Sequence, residues 1–352
     1  MATSKKSKKV KALHKKLVLS DSFPLVVFLI ILLGIVITTF LVMNPKDVGV
    51  PEAGVTTPKL YVGLGNNLGE VKRYDMITKK WSSLGQQNHN GINKAVQYGN
   101  KLYFGFNDGV IRTYEPGANP AWKGLGDRGE MITSMEVYNG KLYVAHMSAP
   151  GTGEKMLESY DGSTWKTLRT DANMKTITVM RAFNGKLFVG YAGSFDHPGQ
   201  PPYGCYKFYI STNNSWSKEY CPLANGFTAM EVYDGKLWMG DSVLNGNIIT
   251  TTTGTDVVLI NDKPARGVLV FRTYQNRLYT SDMDGVAFVW NNNTAKWNNL
   301  GDKGSQVQSM VTGYGDKLFI GDSSGVVTQF DGTDWTVAGD WTGIGNMVIH
   351  QP

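Results

Sequence analysis

A chain of 352 residues is long enough for two domains of ordinary size. Its formal charge of +6 belongs to one end: seven of the 35 basic residues and one of the 29 acidic residues, Asp21, precede residue 22, leaving 28 of each beyond it. The remainder is electrically balanced, which removes net charge as an argument for nucleic-acid binding.

The first 20 residues carry Lys5, Lys6, Lys8, Lys9, Lys11, Lys15 and Lys16 and no acid. Phe23–Met43 follows, 21 residues without a charge. At ~1.5 Å per residue, a helix of that length spans the roughly 30 Å hydrocarbon core of a bilayer. The lysine-rich flank predicts a cytoplasmic N-terminus, with everything from residue 44 outside and the membrane itself as a partner of Phe23–Met43. The alternative is a cleaved signal peptide. Such peptides have a shorter apolar run and a small-x-small cleavage site, which Asn44-Pro45-Lys46-Asp47 does not offer. Residues 44–58, with Pro45, Pro51 and Pro58, read as a short linker holding the next domain near the bilayer.

From residue 59 onward one phrase recurs: KLYVG at Lys59, KLYFG at Lys101, KLYVA at Lys141, KLFVG at Lys186, KLWMG at Lys236, RLYTS at Arg277 and KLFIG at Lys317. The spacings are 42, 40, 45, 50, 41 and 40 residues. Before most copies stands an apolar stretch ending in an aromatic and then Asn-Gly, Asp-Gly or a variant, as in Met135-Glu136-Val137-Tyr138-Asn139-Gly140. Two β-prone runs joined this way are a hairpin signal, because both turn residues tolerate positive φ. A third run follows, then a short one carrying Trp81, Trp122, Trp165, Trp216, Trp297 or Trp335; the repeat at Lys236 has none there. Four strands per repeat and seven repeats predict an all-β, seven-bladed propeller over residues 59–352.

No strand precedes Lys59. Met135, Met180 and Met230 each lie six residues before their lysine, and Met347 stands in the corresponding place at the far end. The C-terminal strand is therefore expected to pair with Leu60–Gly63 and close the ring, which removes exposed sheet edges. The two cysteines, Cys205 and Cys221, flank a segment centred on Asn213. Folded as a hairpin, it sets them opposite each other. A disulfide there suits an extracytoplasmic domain and is worth ~3 kcal/mol by loop closure; the alternative is two reduced thiols. Asn213-Asn214-Ser215 and Asn292-Asn293-Thr294 fit the N-glycosylation pattern, which has meaning only in a eukaryotic secretory route.

With strand, Asn/Asp-Gly, KLYxG, third strand and Trp in place, residues 59–352 resemble kelch-like and galactose-oxidase-like β-propellers. The kelch double glycine is absent. The resemblance implies that the first strand of each blade lines the axis. The aromatic before each turn (Tyr98, Tyr138, Phe183, Tyr233, Tyr274, Tyr314) and the blade tryptophans read as packing between blades rather than ligand platforms.

Two of the loops joining second to third strands are long, His146–Lys155 and Tyr191–Gly204. Long loops carry function more often than scaffold strands do, although an indifferent surface excursion fits as well. The candidate ligand-binding residues are His146, Tyr191, Phe195, Asp196, His197 and Tyr203, whose rings and polar atoms suit a glycan or a peptide. Asp108, Asp241, Asp282 and Asp322 start comparable loops; they can ring a cation, or simply stabilise turns beside glycine.

Catalytic signatures are thin. The five histidines are scattered, no phosphate loop follows a strand and opens a helix, and no cofactor is implied. Segments 159–165 and 330–335 resemble degenerate sialidase Asp boxes, which are turn structure rather than active sites. Three functions remain: a membrane-anchored recognition module for protein or glycan, an extracytoplasmic propeller enzyme (hydrolase, lyase or oxidoreductase), or a structural envelope or virion surface protein. Carboxylates and a histidine converging at the axis would mark the enzyme.

Overall fold

The computed structural model describes residues 57–352, apart from 67, 148–155, 170–175, 193–203, 224–225, 242–245, 263, 265, 314 and 352. The basic tail, the run Phe23–Met43 and the linker through residue 56 lie outside the described residues. Among the described residues no helix is long and apolar enough to cross a membrane.

Seven antiparallel sheets form the blades, numbered here by their KL motifs from Lys59. The inner strands, taken from blade 1 to blade 7, are Ile344–His350, Ile92–Tyr98, Ile132–Tyr138, Ile177–Phe183, Phe227–Tyr233, Val270–Tyr274 and Val307–Gly313. Blade 1 takes its inner strand from the C-terminus, with Tyr61 opposite Val348 and Val62 opposite Met347. The ring closes as the displaced methionine predicts. Met135 lies opposite Val144 and Met180 opposite Val189, the same register three residues past the motif lysine.

The repeated phrase now has a physical reading. Every motif leucine (Leu60, Leu102, Leu142, Leu187, Leu237, Leu278, Leu318) is fully buried between blades. The closing glycine is demanded by the next blade. A Cβ on Gly63 would sit 2.5 Å from the Ile92 Cγ2, and one on Gly105 would sit 2.6 Å from that of Ile132. At these blades the next inner strand packs against the glycine, whereas blades 3 and 6 have Ala145 and Ser281 in that place.

The tyrosines before the hairpin turns of blades 2, 3 and 6 latch onto the next blade. Tyr98 donates its hydroxyl to the Gly140 carbonyl (2.8 Å), Tyr138 to Gly185 (2.7 Å) and Tyr274 to Asp316 (2.5 Å). In blade 1 His350 takes the tyrosine's place, its Nε2 3.3 Å from the Asn100 carbonyl. The tryptophans stack on third-strand aromatics, as Trp165 does on Tyr160 at 4.7 Å and Trp335 on Phe330 at 4.6 Å. Among the described residues both groups pack, as the sequence indicates; Tyr314 lies outside them. Blade 5, which lacks the tryptophan, instead folds its outer hairpin around Asp256, which accepts from Thr251, Thr252 and Thr253.

Because consecutive strands alternate in direction, the two ends of the propeller differ. The Asn/Asp-Gly hairpins share one face with the turns joining third to outer strands. The other face carries the loops joining second to third strands together with the connections between blades. The latter is called the loop face below.

Candidate functional site

The inner strands surround an axial cavity of about 410 Å³, within the range of small-molecule sites. Alternate residues of a strand share one side, and two such positions form stacked layers around the axis. The register with the second strands assigns the first layer to Val348, Val96, Glu136, Arg181, Glu231, Arg272 and Val311, one per blade. The second layer, two residues nearer the loop face, is Asn346, Lys94, Ser134, Val179, Ala229, Val270 and Ser309.

The layers are complementary. Blades 7, 1 and 2 have valine in the first layer and Ser309, Asn346 and Lys94 in the second. Blades 4, 5 and 6 have charge in the first layer and Val179, Ala229 and Val270 in the second. Blade 3 is polar in both. Each level of the cavity thus has a polar arc facing an apolar one.

The charged arc alternates in sign. Arg181 lies 2.6 Å from Glu231 and 3.9 Å from Glu136, and Arg272 lies 3.8 Å from Glu231. Arg272 Nε also donates to the Met310 carbonyl at 3.0 Å, and Glu136 accepts the Ala182 N–H at 3.1 Å. Burial raises the Glu136 carboxyl above the ordinary range, an effect that Arg181 and the Ala182 N–H only partly oppose. Burial alone would lower Arg181, but Glu231 and Glu136 on either side raise it. Lys94 is different. Burial lowers its ammonium with no carboxylate to oppose it, and it has no ion-pair partner among the described residues.

Polar side chains of the inner strands otherwise satisfy the free edge of the neighbouring blade. Ser134 Oγ accepts the Met180 N–H, Ser309 Oγ the Met347 N–H, and Asn346 Oδ1 the Ala95 N–H. Bulge residues add to this: Asn93 donates to the Ile132 carbonyl at 2.6 Å, and Thr228 to Val268 at 2.5 Å. An inner strand pairs on one side only, and these bonds serve the backbone groups on its other side.

A second polar cluster stands on the loop face at blades 3 and 4. His146 ends the second strand of blade 3 and is fully buried, its Nε2 3.3 Å from Glu158 Oε2. Arg128, from the connection between blades 2 and 3, grips Glu158 with two hydrogen bonds of 3.0 and 2.5 Å. The same guanidinium lies 4.3 Å over the Trp165 ring. Burial alone would raise Glu158, but His146 and Arg128 pull it down to about 2.

Next door Tyr191, also fully buried, donates its hydroxyl to Glu219. Cys205 and Cys221 form a disulfide beside it, joining the third strand of blade 4 to its outer strand. Of the predicted ligand residues, His146 and Tyr191 therefore face protein at the bases of the two long loops. Phe195, Asp196, His197 and Tyr203 lie outside the described residues.

Asp241, Asp282 and Asp322 do not gather as a cation ring. Each is buried in its own loop, accepting local N–H groups: Asp282 from Asp284 and Val286, Asp322 from Gly325 and Val326, Asp241 from Asn247. Asp108, more exposed, accepts from Val110 and lies 3.0 Å from His89 Nδ1. Asp161 and Asp331 likewise hold turns, accepting from Thr164 and Asp334.

The sequence reading passed over the axial charges. Their signal was present in MEVY, MRAF, MEVY and FRTY, where the residue before the last two alternates acid and base on strands expected to line the axis.

No family model matches the chain, and no curated protein matches it. Among solved structures it is similar to the computationally designed Ika8 protein, at TM-score 0.57 and 14% identity over 83% of this chain and 91% of the other. It is also similar to apo AztD from Citrobacter koseri, at TM-score 0.55 and 12% identity over 82% of this chain and 83% of the other. These likenesses show the fold alone: the described chain is an all-β propeller of seven blades.

Proposed function

We propose that this chain is a membrane-anchored recognition module whose propeller stands outside the cytoplasm and presents its loop face to a protein or a glycan. The observation that carries this reading is the Cys205–Cys221 disulfide. Disulfides persist in oxidising compartments, and this one ties two strands of blade 4, one of which begins at Gly204 where the Tyr191–Gly204 loop ends. A stiffened base lowers the ordering cost of binding by what it supports. The axis supports binding over catalysis as well. Its two carboxylates, Glu136 and Glu231, are matched to arginines, and among the described residues the cavity lining includes no histidine.

Topology is tested by adding protease to intact cells. A C-terminal tag should be removed and an N-terminal one spared; the reverse pattern overturns the orientation. Binding is tested by replacing residues 194–203 with a short Gly-Ser turn and screening parent and variant on glycan arrays and against cell-surface proteins. The shortened protein should fold, reach the surface and lose the parent's ligand. Unchanged binding would exclude this loop as the site.

A further inference from the structure

We infer that the axial cavity is a binding site for a small organic anion, a carboxylate with an apolar body, held at its charged end by Lys94, Asn346 and Ser309. The loop-face reading is not needed for this. The three residues stand at one level on consecutive inner strands, and all three line the cavity.

Each is a hydrogen-bond donor with capacity to spare. Asn346 spends its Oδ1 on the Ala95 N–H, which leaves the Nδ2 amide as donor. Ser309 accepts the Met347 N–H through Oγ, which leaves its own proton to give. Lys94 brings three N–H groups and a charge that no carboxylate among the described residues offsets.

An unpaired ammonium in a half-buried position is costly, and it lies on the one arc of the axis with no acid. The acids are committed elsewhere, since Glu136 and Glu231 are both engaged by Arg181. Burial already disfavours the charged form of Lys94, and an arriving anion removes that penalty. Across the cavity at the same level are Val179, Ala229 and Val270, which offer an apolar surface and no donor. The opposition selects a ligand with one charged end and one apolar side over a fully hydrated ion.

The test uses the full chain in detergent, titrated by calorimetry at fixed ionic strength with three probes. Benzoate has both features, benzamide has the body without the charge, and inorganic phosphate has charge without the body. Benzoate should bind, with benzamide and phosphate each weaker by about tenfold or more, the scale set by one hydrogen bond to a charged group. Lys94→Met keeps the stem and removes the charge. It should weaken benzoate by at least about tenfold while leaving the melting temperature of the unliganded protein unchanged or higher. Asn346→Ala, a second and milder change, should weaken benzoate severalfold. Absence of benzoate binding by the parent, or equal affinity in parent and Lys94→Met, would overturn the site. Phosphate binding better than benzoate would overturn the assigned ligand class.

Discussion

Blades 7, 1 and 2 and blades 4, 5 and 6 share a backbone register at the axis and differ in what they place there. In the layer nearer the hairpin turns, the first group has Val311, Val348 and Val96, and the second has Arg181, Glu231 and Arg272. Both groups keep the motif leucine, and most blades keep the closing glycine and the latch to the next blade. The scaffold is therefore indifferent to the chemistry of this position. Three valines show that a blade closes without charge, so the register itself does not require the charges on the opposite arc.

The largest effect is expected on the valine side. Deleting Met347–Pro352 removes Val348 and most of the strand that completes blade 1. It strips the cover from Leu60 and Val62 and exposes a sheet edge. Aggregation or loss of cooperative unfolding is expected in a thermal melt. A truncated chain as stable as the parent would contradict ring closure.

On the charged side, Arg181→Met leaves the buried Glu231 and the half-buried Glu136 without their shared cation. Removing one partner of a buried network costs about 3 kcal/mol or more, read as a lower midpoint in urea. A change below about 0.5 kcal/mol would mean that water, not Arg181, serves these carboxylates.

Acid sharpens the contrast between axis and rim. The folded-state value of Glu158, about 2, lies below its ordinary value of 4.5. The stabilisation is therefore complete above about 4.5 and is lost as pH falls toward 2, up to about 3 kcal/mol in all. Glu158→Gln should flatten stability across that window. Glu136 behaves oppositely: its raised carboxyl protonates more readily in the fold.

The smallest effect belongs to the latch of blade 1. Burial lowers His350 below its ordinary value of 6.5, so the unfolded chain binds the proton more readily. Stability should fall slightly as pH drops below about 6.5. Replacing His350 by Tyr, the residue used in blades 2, 3, 5 and 6, should abolish that dependence, which unfolding curves at pH 7.5 and 5.5 would reveal.

These elements also show what a sequence displays and what it hides. Leu60, Gly63 and their counterparts are legible because seven interfaces impose one demand, and a demand repeated every 40 to 50 residues stands out. Met347 was legible for the same reason, being a copy out of place. Cys205 and Cys221 declared themselves by symmetry about a turn. The polar arc at the axis was not seen, since its residues depart from the repeat. Lys94, Asn346 and Ser309 come from three blades, are 252 residues apart at the extremes, and follow no common motif. His350 was hidden because it performs a tyrosine's task with a different side chain. The loop aspartates had two readings in the sequence, and only their hydrogen bonds separate turn from cation ring.

The central claim of this comparison is that the blade register does not require the charges of the first axial layer. The most direct measurement compares urea unfolding of Arg181→Met with that of a variant carrying valine at Glu136, Arg181, Glu231 and Arg272 together. Replacing a whole buried ionic network by apolar groups is often neutral, whereas breaking it is not. The account predicts that the four-valine protein unfolds cooperatively within about 1 kcal/mol of the parent and well above Arg181→Met. A four-valine protein that is as unstable as Arg181→Met, or does not fold, would show that the charges hold the propeller together.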